Sequence, residues 1–328
     1  MVFTVNEGFN EFNTNYVNLE PEKSKKAKIS RDWLLSQLEI LQNKVPDFPD
    51  LYEEKHIQFG SFARKTKIRP LDDIDLILTF SANGSTYLTE SSNNYILKVP
   101  ESATILRKFC NTDFTLNSIK IVNKLVASLN SIEQYKSAEI HRKQEAATLN
   151  LRSYEWNFDL VPAFYTDKDF YLIPNGIGGW KATDPRIDQN RLTLINQKHN
   201  AKILQIIRIL KYWNIRAKMP TISSYLLENL ILNFFESKTE ISDYIDFNIS
   251  NFWNDLSVSI FQQVKDPKGF QQNLNDLHIE DKIRISEKAK STYKLSLEAR
   301  ELEITEKDQE KAINKWREIF GDDFPKYY

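Results

Sequence analysis

The chain has 328 residues, more than one compact domain usually holds, so we expect two lobes that share an interface. Hydrophobic residues make up 41% of the chain, which provides for an extensive core and excludes a disordered protein. The formal net charge of −1 lacks the basic excess that proteins holding long nucleic acids usually carry.

The cysteine content and the distribution of apolar residues predict the cellular compartment of the protein. Cys110 is the only cysteine, which excludes an internal disulfide and fits a reducing environment. We interpret this residue as a small buried hydrophobe rather than a nucleophile. The N-terminus lacks the apolar region of a signal peptide, and no run reaches the roughly 20 apolar residues of a membrane span. We therefore expect a cytoplasmic protein with no membrane partner.

The N-terminal part predicts one long helix. Residues 1–20 are polar with scattered phenylalanines and are expected to lie over the surface. Ser30 is a candidate N-cap for the helix that follows. The apolar positions of this helix recur with helical spacing at Leu34, Leu38, Leu41 and Val45. Pro46 and Pro49 should end it.

The segment 58–80 gives the clearest functional signal. Gly60 and Ser61 follow a short apolar stretch, and after eleven intervening residues Asp73-Ile74-Asp75 leads into an apolar strand. Strand alternation puts both aspartates on one face, where their carboxylates repel each other unless a cation binds them. Mg²⁺ prefers carboxylate oxygens together with substrate phosphates, and a glycine followed by a hydroxyl suits a closely approaching phosphate. We interpret these residues as a metal and triphosphate site; the alternative is a solvated turn before an ordinary strand.

A third acidic residue follows in a later strand. Residues 81–112 are predicted to form a loop-rich insertion. A second amphipathic helix is then predicted, with its apolar positions at Leu116, Ile119, Val122, Val126 and Leu129. Strand-like segments follow at 138–142, 147–151, 156–161 and 170–173. Asp159 lies within the third, and a buried carboxylate needs a cation, a donor or water. We interpret Asp159 as the third ligand of a two-metal site; the alternative is a carboxylate bound to backbone or arginine.

The remainder is predicted to be almost entirely helical from about residue 190, after a turn-rich bridge. A helix at 201–213 is apolar on most sides and carries Lys211. The next helix begins at Ser223-Ser224-Tyr225, where a serine is either an N-cap or a phosphate ligand at the helix N-terminus. Two further helices are expected at 280–303 and 306–320, the second ending at Gly321.

The chain contains, in order, a strand, Gly-Ser, Asp-x-Asp, a second strand and an aspartate in a distant strand. In this order of features it resembles the polymerase-β-type nucleotidyltransferase superfamily. Within it, the segments 59–64, 157–162, 178–180 and 211–213 resemble the bacterial cyclic-oligonucleotide synthases of antiphage defence. These enzymes are the CD-NTases, relatives of cyclic GMP-AMP synthase and the oligoadenylate synthases. The resemblance covers nearly the whole chain, including its helical C-terminus.

The resemblance implies an α+β fold with two lobes. The first, residues 1–189, would be a polymerase-β-like nucleotidyltransferase lobe with a mixed sheet and a long N-terminal helix. The second, residues 190–328, would be a helical lobe that closes the nucleotide cleft.

The resemblance also implies a role for each candidate residue. Two Mg²⁺ ions, for which Mn²⁺ can substitute, would be held by Asp73, Asp75 and Asp159. The donor triphosphate would contact Gly60, Ser61, Lys211 and Ser224, with Tyr225 stacking on a base. From the residues alone, alternatives stay open: Lys211 as a surface lysine on a buried helix, Tyr225 as a core residue, and Ser223 in place of Ser224.

The implied activity is the joining of nucleoside triphosphates, ATP and GTP among them, into a cyclic di- or trinucleotide second messenger with release of pyrophosphate. The product would act in antiviral (CBASS) signalling through a separate effector protein, and no nucleic acid would be required. One alternative is a template-independent nucleotidyltransferase acting on RNA or protein, which would need a basic tract or an RNA-binding domain. A second is an inactive nucleotide-binding scaffold, which would lack one of the three acidic positions.

Overall fold

The computed structural model describes residues 2–151 and 154–328, and its strands form one mixed sheet. In chain order the strands are β1 (Ile57–Phe59), β2 (Asp73–Phe80), β3 (Thr86–Ser91), β4 (Asn94–Lys98), β5 (Glu139–Lys143), β6 (Ala146–Asn150), β7 (Asn157–Tyr165), β8 (Tyr171–Pro174) and β9 (Trp180–Thr183). The sheet order is β1-β2-β7-β8-β9-β4-β3, and β5 pairs with β6, which also pairs with β7. Strands β2 and β7 are parallel, and the other pairs are antiparallel.

Helices flank the sheet and form the C-terminal half of the chain. They are α1 (Val5–Phe12), α2 (Pro21–Lys44), α3 (Gly60–Ala63), α4 (Thr104–Arg107), α5 (Ser118–Leu129), α6 (Pro185–Lys198), α7 (Ile203–Arg216), α8 (Ser224–Glu236), α9 (Ile245–Ser259), α10 (Ile279–Ile304) and α11 (Gln309–Phe320). Across the residues that the structure describes, none of these helices combines the length and apolarity needed to cross a bilayer. The architecture is α+β, as predicted.

The two faces of β2 have different surroundings because side chains alternate along a strand. Ile74, Leu76 and Leu78 are buried in a core that they share with apolar residues of α2 and α5. Asp73 and Asp75 lie on the opposite face. Farther along that face, Ile77 belongs to a small separate apolar cluster. Helices α2 and α5 therefore cover the sheet on the face opposite the acidic residues.

A second core holds the C-terminal helices together, and α1 is part of it. Phe9 and Phe12 of α1 are fully buried, and Phe9 makes edge contacts with Trp316 and Phe320 of α11. The expectation that residues 1–20 lie over the surface was therefore wrong for the described part; Met1 lies outside the described residues. Because α1 packs with the helical half, the division into residues 1–189 and 190–328 remains a proposal.

Several element boundaries differ from those predicted. Helix α2 begins at Pro21, whose fixed φ suits a first helical turn, and Ser30 is buried inside it instead of capping it. The segment predicted as a loop-rich insertion contains the hairpin β3–β4. Its outer strand, β3, is mostly exposed, so it lacks the apolar alternation that marks a half-buried strand.

Other boundaries lie close to the predictions. The turn-rich bridge contains β9, and α6 begins earlier than predicted, at Pro185 after the N-cap Asp184. Gly321 ends α11 with φ of +80°, as predicted. Cys110 is buried, and burial raises the pKa of its thiol, which fits the prediction of a small buried hydrophobe.

Candidate nucleotide and metal site

The three predicted aspartates are brought together by the pairing of β2 with β7. Asp75 is paired with Asp159, and Asp73 is paired with Asn157 two residues earlier along the strands. Because paired residues of neighbouring parallel strands point to the same side of a sheet, the three carboxylates share one face. Residues separated by more than 80 positions in the sequence thus form one acidic group.

Two carboxylates of this group, Asp75 and Asp73, have pKa values above the ordinary carboxyl range. Burial raises the pKa of Asp75 to about 7, helped by the negative charges of Asp73 and Asp159 and opposed by Lys67 and Arg64. Burial also raises the pKa of Asp73, although its carboxylate accepts a hydrogen bond from Lys67. A group of carboxylates that resists ionisation in this way is one that a bound cation would stabilise.

The donor set fits Mg²⁺, which binds oxygen ligands and keeps substrate phosphates and water among them. Within 2–151 and 154–328, however, no three His, Cys, Asp or Glu side chains lie in an arrangement that could hold a metal ion. Asp73 is bound to Lys67, and Asp159 accepts a hydrogen bond from Thr148 Oγ1 at 2.6 Å. These contacts satisfy carboxylates that would otherwise only repel one another.

Gly60 lies directly against Asp75. Its φ is +73°, and a Cβ at this position would come within 1.7 Å of Asp75 Oδ2. Only glycine permits both this conformation and this close approach. The next residue, Ser61, accepts hydrogen bonds through its carbonyl from Thr66 N (2.9 Å) and Lys67 N (3.1 Å), which folds the segment back on itself. Gly60 and Ser61 therefore lie beside the acidic face, as predicted.

A cavity of about 310 Å³ adjoins this segment. Its lining includes Ser61, Lys67, Asp72, Lys211, Ser223 and Ser224. The structure thus brings together three predicted phosphate ligands that come from three different elements. Lys67, which binds Asp72 and Asp73 and also lines the cavity, was missed by the sequence reasoning. Lys65 lies two positions away, so nothing in the sequence distinguishes Lys67 from its neighbour.

Lys211 lies on α7 and is only 5% exposed, so the alternative of a surface lysine is wrong. Its ammonium is paired with Glu228 of α8 and lies 3.4 Å from Thr66 Oγ1. Glu228 was also missed, because a glutamate within an apolar helix gives no sign of its partner.

The N-terminus of α8 separates the two candidate serines. Ser223 is the N-cap, and its hydroxyl accepts a hydrogen bond from Leu226 N at 3.4 Å. Ser223 and Ser224 are both exposed and both line the cavity, so only this cap hydrogen bond distinguishes them. Tyr225 does not line this cavity: its hydroxyl donates to Asp188 Oδ1 at 2.8 Å, and the Lys268 ammonium lies 4.1 Å from its ring centroid. Stacking of Tyr225 on a base stays a prediction.

Asp73, Asp75 and Asp159 do not line this cavity, which is connected to them through Ser61, next to Gly60, and through Lys67, which binds Asp73. Together, these carboxylates and the lysine and serine side chains suit the chemistry of phosphate esters. The carboxylates can hold divalent cations, and the lysine and serine side chains can bind the charged oxygens of a triphosphate.

A probable cyclic nucleotide synthase of Bacillus cereus (strain VD146) is 45% identical over 334 aligned positions, which cover 100% of this chain and 99% of that protein. The structure of Escherichia coli MS115-1 CdnC with ATP matches with a TM-score of 0.70 at 16% identity, covering 98% of each chain. No protein-family model matches the chain.

A further solved structure is Vibrio cholerae DncV cyclic AMP-GMP synthase in complex with the linear intermediate 5′ pppA(3′,5′)pG. It matches with a TM-score of 0.65 at 12% identity and covers 100% of this chain and 98% of that chain. At such identities the two structures confirm the predicted fold, a mixed sheet packed with helices.

Proposed function

This chain belongs to the bacterial cyclic nucleotide synthases, the CD-NTases, and we propose that it joins nucleoside triphosphates into a cyclic di- or trinucleotide with release of pyrophosphate. The observation that carries this proposal is the pairing of Asp75 with Asp159 on one sheet face, with Gly60 against Asp75 and the next residue, Ser61, lining a cavity together with Lys211. The 45% identity to a probable cyclic nucleotide synthase over the whole chain supports it.

The roles of the residues follow from their places. Asp73, Asp75 and Asp159 would hold two Mg²⁺ ions, for which Mn²⁺ can substitute. Bound Mg²⁺ supplies Lewis acidity toward the phosphate and the acceptor hydroxyl. Asp159, oriented by Thr148, helps to accept the proton of the acceptor hydroxyl.

The remaining candidates bind the donor nucleotide. Gly60 leaves room for close approach of the phosphates, and Ser61 and Ser224 contribute hydroxyl groups. Lys211 offsets the negative charge of the triphosphate, and Tyr225 stacks on a base. We further propose that the product serves antiviral (CBASS) signalling in the cytoplasm, read by a separate effector protein.

The test is product analysis with the full chain, Mg²⁺ and each pair of labelled nucleoside triphosphates. We expect a product that resists phosphatase, because a ring has no terminal phosphate. Products that are all linear and sensitive to phosphatase would instead indicate a template-independent transferase. Nucleotide binding without any product would indicate an inactive scaffold. Either result would overturn the proposal.

The metal requirement is tested separately. Excess chelator should abolish product formation, and either Mg²⁺ or Mn²⁺ should restore it. Ca²⁺ should restore it poorly, because its longer bonds and higher coordination number misplace the reacting oxygens. Full turnover in chelator would contradict the assignment of the three aspartates.

A further inference from the structure

A buried ion network joins residues 64–66, which belong to the segment after Gly60-Ser61, to α7 and α8. Glu228 is at the centre of this network. One carboxylate oxygen of Glu228 accepts a hydrogen bond from Arg64 Nε at 3.0 Å. The other accepts from Thr66 Oγ1 at 2.9 Å and from the Lys211 ammonium. Glu228 is 3% exposed and Thr66 is fully buried. The network therefore lies behind the cavity lining and not on the protein surface.

Two proposed phosphate ligands meet at this one carboxylate. Lys211 contacts it directly. Ser61 is connected through Thr66, whose backbone N–H donates to the Ser61 carbonyl and whose hydroxyl donates to Glu228. Ser61 and Lys211 come from different elements and line the same cavity. The Glu228 carboxylate thus connects these two residues behind the cavity.

We propose that Glu228 is a positioning residue for the donor triphosphate: it fixes Lys211 against the Ser61 segment and supplies the counter-charge for the Lys211 ammonium. This inference rests on the proposed function, since it assumes that Lys211 binds phosphates. Glu228 itself touches no phosphate in this role.

The charges around Lys211 explain why it needs this counter-ion. The charged groups that act most on its pKa are Glu228 from α8 and Arg64 and Lys67 from the segment after Ser61, and the Asp72 carboxylate lines the same cavity. Burial lowers the pKa of Lys211, Arg64 and Lys67 lower it further, and Glu228 opposes them. Without Glu228, the Lys211 ammonium would face the cations Arg64 and Lys67 without its counter-ion. Lys211 would then lose its proton more easily. A neutral Lys211 would bind a triphosphate weakly.

The experiment measures binding of α,β-methylene-ATP and of adenosine to the full chain with Mg²⁺ at pH 6.5 and 8.5. Glu228→Gln keeps the size of the side chain and removes its charge. Relative to wild type, we expect it to weaken binding of the analogue by at least about tenfold at pH 8.5. The loss should be less than about threefold at pH 6.5, and adenosine affinity should change by less than about threefold at both pH values.

Lys211→Arg provides the decisive background, because a guanidinium remains charged at both pH values. Adding Glu228→Gln to Lys211→Arg should cause a loss of affinity that does not depend on pH. The matched control is Glu236→Gln on the same helix, whose carboxylate is half-exposed and pairs with Arg191 at 2.7 Å; it should leave binding unchanged. Equal losses for adenosine and the analogue, or a pH-independent loss in Glu228→Gln alone, would overturn the inference.

A second variant covers the case in which Glu228→Gln fails to fold. Glu228→Asp keeps the charge but shortens the side chain, so it should weaken analogue binding with a pH profile like that of wild type. Unchanged affinity in this variant would overturn the inference. Binding is measured without product formation, so lack of a cyclic product would count against the proposed function alone. Normal analogue binding by Glu228→Gln in an enzyme that makes the cyclic product would count against Glu228 alone.

Discussion

At the scale of single residues, Gly60 shows how one missing Cβ sets the geometry of the site. Gly60→Ala would strain a φ of +73° and push a methyl group into Asp75 Oδ2. We expect a loss of activity of about 100-fold or more, because displacement of a reacting group by about 1 Å has such effects. The measurement is kcat/KM together with the free energy of unfolding.

Gly269→Ala is the matched control. Gly269 has a similar φ of +75°, but a Cβ there would meet nothing within 4 Å. Gly269→Ala should therefore lose about 1–2 kcal/mol of stability from backbone strain alone, and Gly60→Ala should lose more because of its clash with Asp75. Only Gly60→Ala should also lose catalytic activity. Equal activity losses in the two variants would contradict the assigned contact with Asp75.

The raised pKa of Asp75 predicts an effect of pH on stability. In chelator the folded protein retains the Asp75 proton up to about pH 7, whereas the unfolded chain releases it near the ordinary carboxyl value. The folded state binds more protons in this window, so wild-type stability should fall as pH rises through it. Asp75→Asn should lack this loss and be more stable at pH 8, by about 2 kcal/mol after allowance for partial exposure.

Urea unfolding at pH 5 and pH 8 measures this effect. Asp113→Asn serves as the control, because hydrogen bonds from Thr115 lower the pKa of that exposed carboxyl, so it should show no such gain. Asp75→Asn should also abolish product formation. A variant that is inactive because it unfolds would show that Asp75 is structural.

At the scale of elements, we expect the two adjacent serines at the N-terminus of α8 to differ in role. Ser223 should stabilise the helix as its N-cap, and Ser224 should bind the triphosphate. Ser223→Ala removes the N-cap and should cost about 0.5–1 kcal/mol of stability, at the lower end for caps because the hydrogen bond is long. Ser224→Ala should leave stability unchanged but raise the KM for the triphosphate. Chemical unfolding and steady-state kinetics on both variants measure this. A stability loss in Ser224→Ala without a change in KM would reverse the assignment.

Helix α1 provides a second test at this scale, because it lies in the helical core. Phe9 is 1% exposed and packs against Trp316, whereas Phe3, just before the helix, is 49% exposed. Phe9→Ala should cost about 3–5 kcal/mol, the usual range for a buried phenylalanine. Phe3→Ala should change the free energy of unfolding by less than about 1 kcal/mol. Comparable effects of the two substitutions would show that α1 contributes little to the core.

At the scale of the whole molecule, the net charge is near zero but the basic side chains are unevenly distributed. A cavity of about 570 Å³ between α2, the segment after Ser61 and α7 is lined by the basic residues Lys28, Arg31, Lys65, Lys67 and Arg208. This cavity is far shorter than the track along which a protein usually follows many phosphates of a duplex.

We therefore expect product formation without nucleic acid. The measurement is the initial rate with and without duplex RNA or DNA, at about 50 mM and about 200 mM salt. Equal rates are expected at both salt concentrations. Stimulation by nucleic acid that weakens as salt rises would contradict this prediction and would indicate binding to the basic residues.

The sequence by itself determined the features that depend on local spacing. Alternation placed Asp73 and Asp75 on one face, and helical periodicity located α5, α7, α10 and α11 within a few residues. Gly60-Ser61 and Asp159 were predicted as site residues because a glycine before a hydroxyl and a charge within an apolar strand are unusual in a single short segment. Such signals are readable because each comes from neighbours in the chain.

Only the tertiary structure decided which distant residues meet. Arg64 and Glu228 are 164 positions apart, and Lys211 and Thr66 are 145 positions apart, so no spacing rule could pair them. The burial of α1 and the gathering of basic side chains behind Ser61 depend on the packing of elements in the same way. The folded geometry determines which residues form ion pairs and core contacts across such distances. The long intervening chain would allow each residue to meet many different partners.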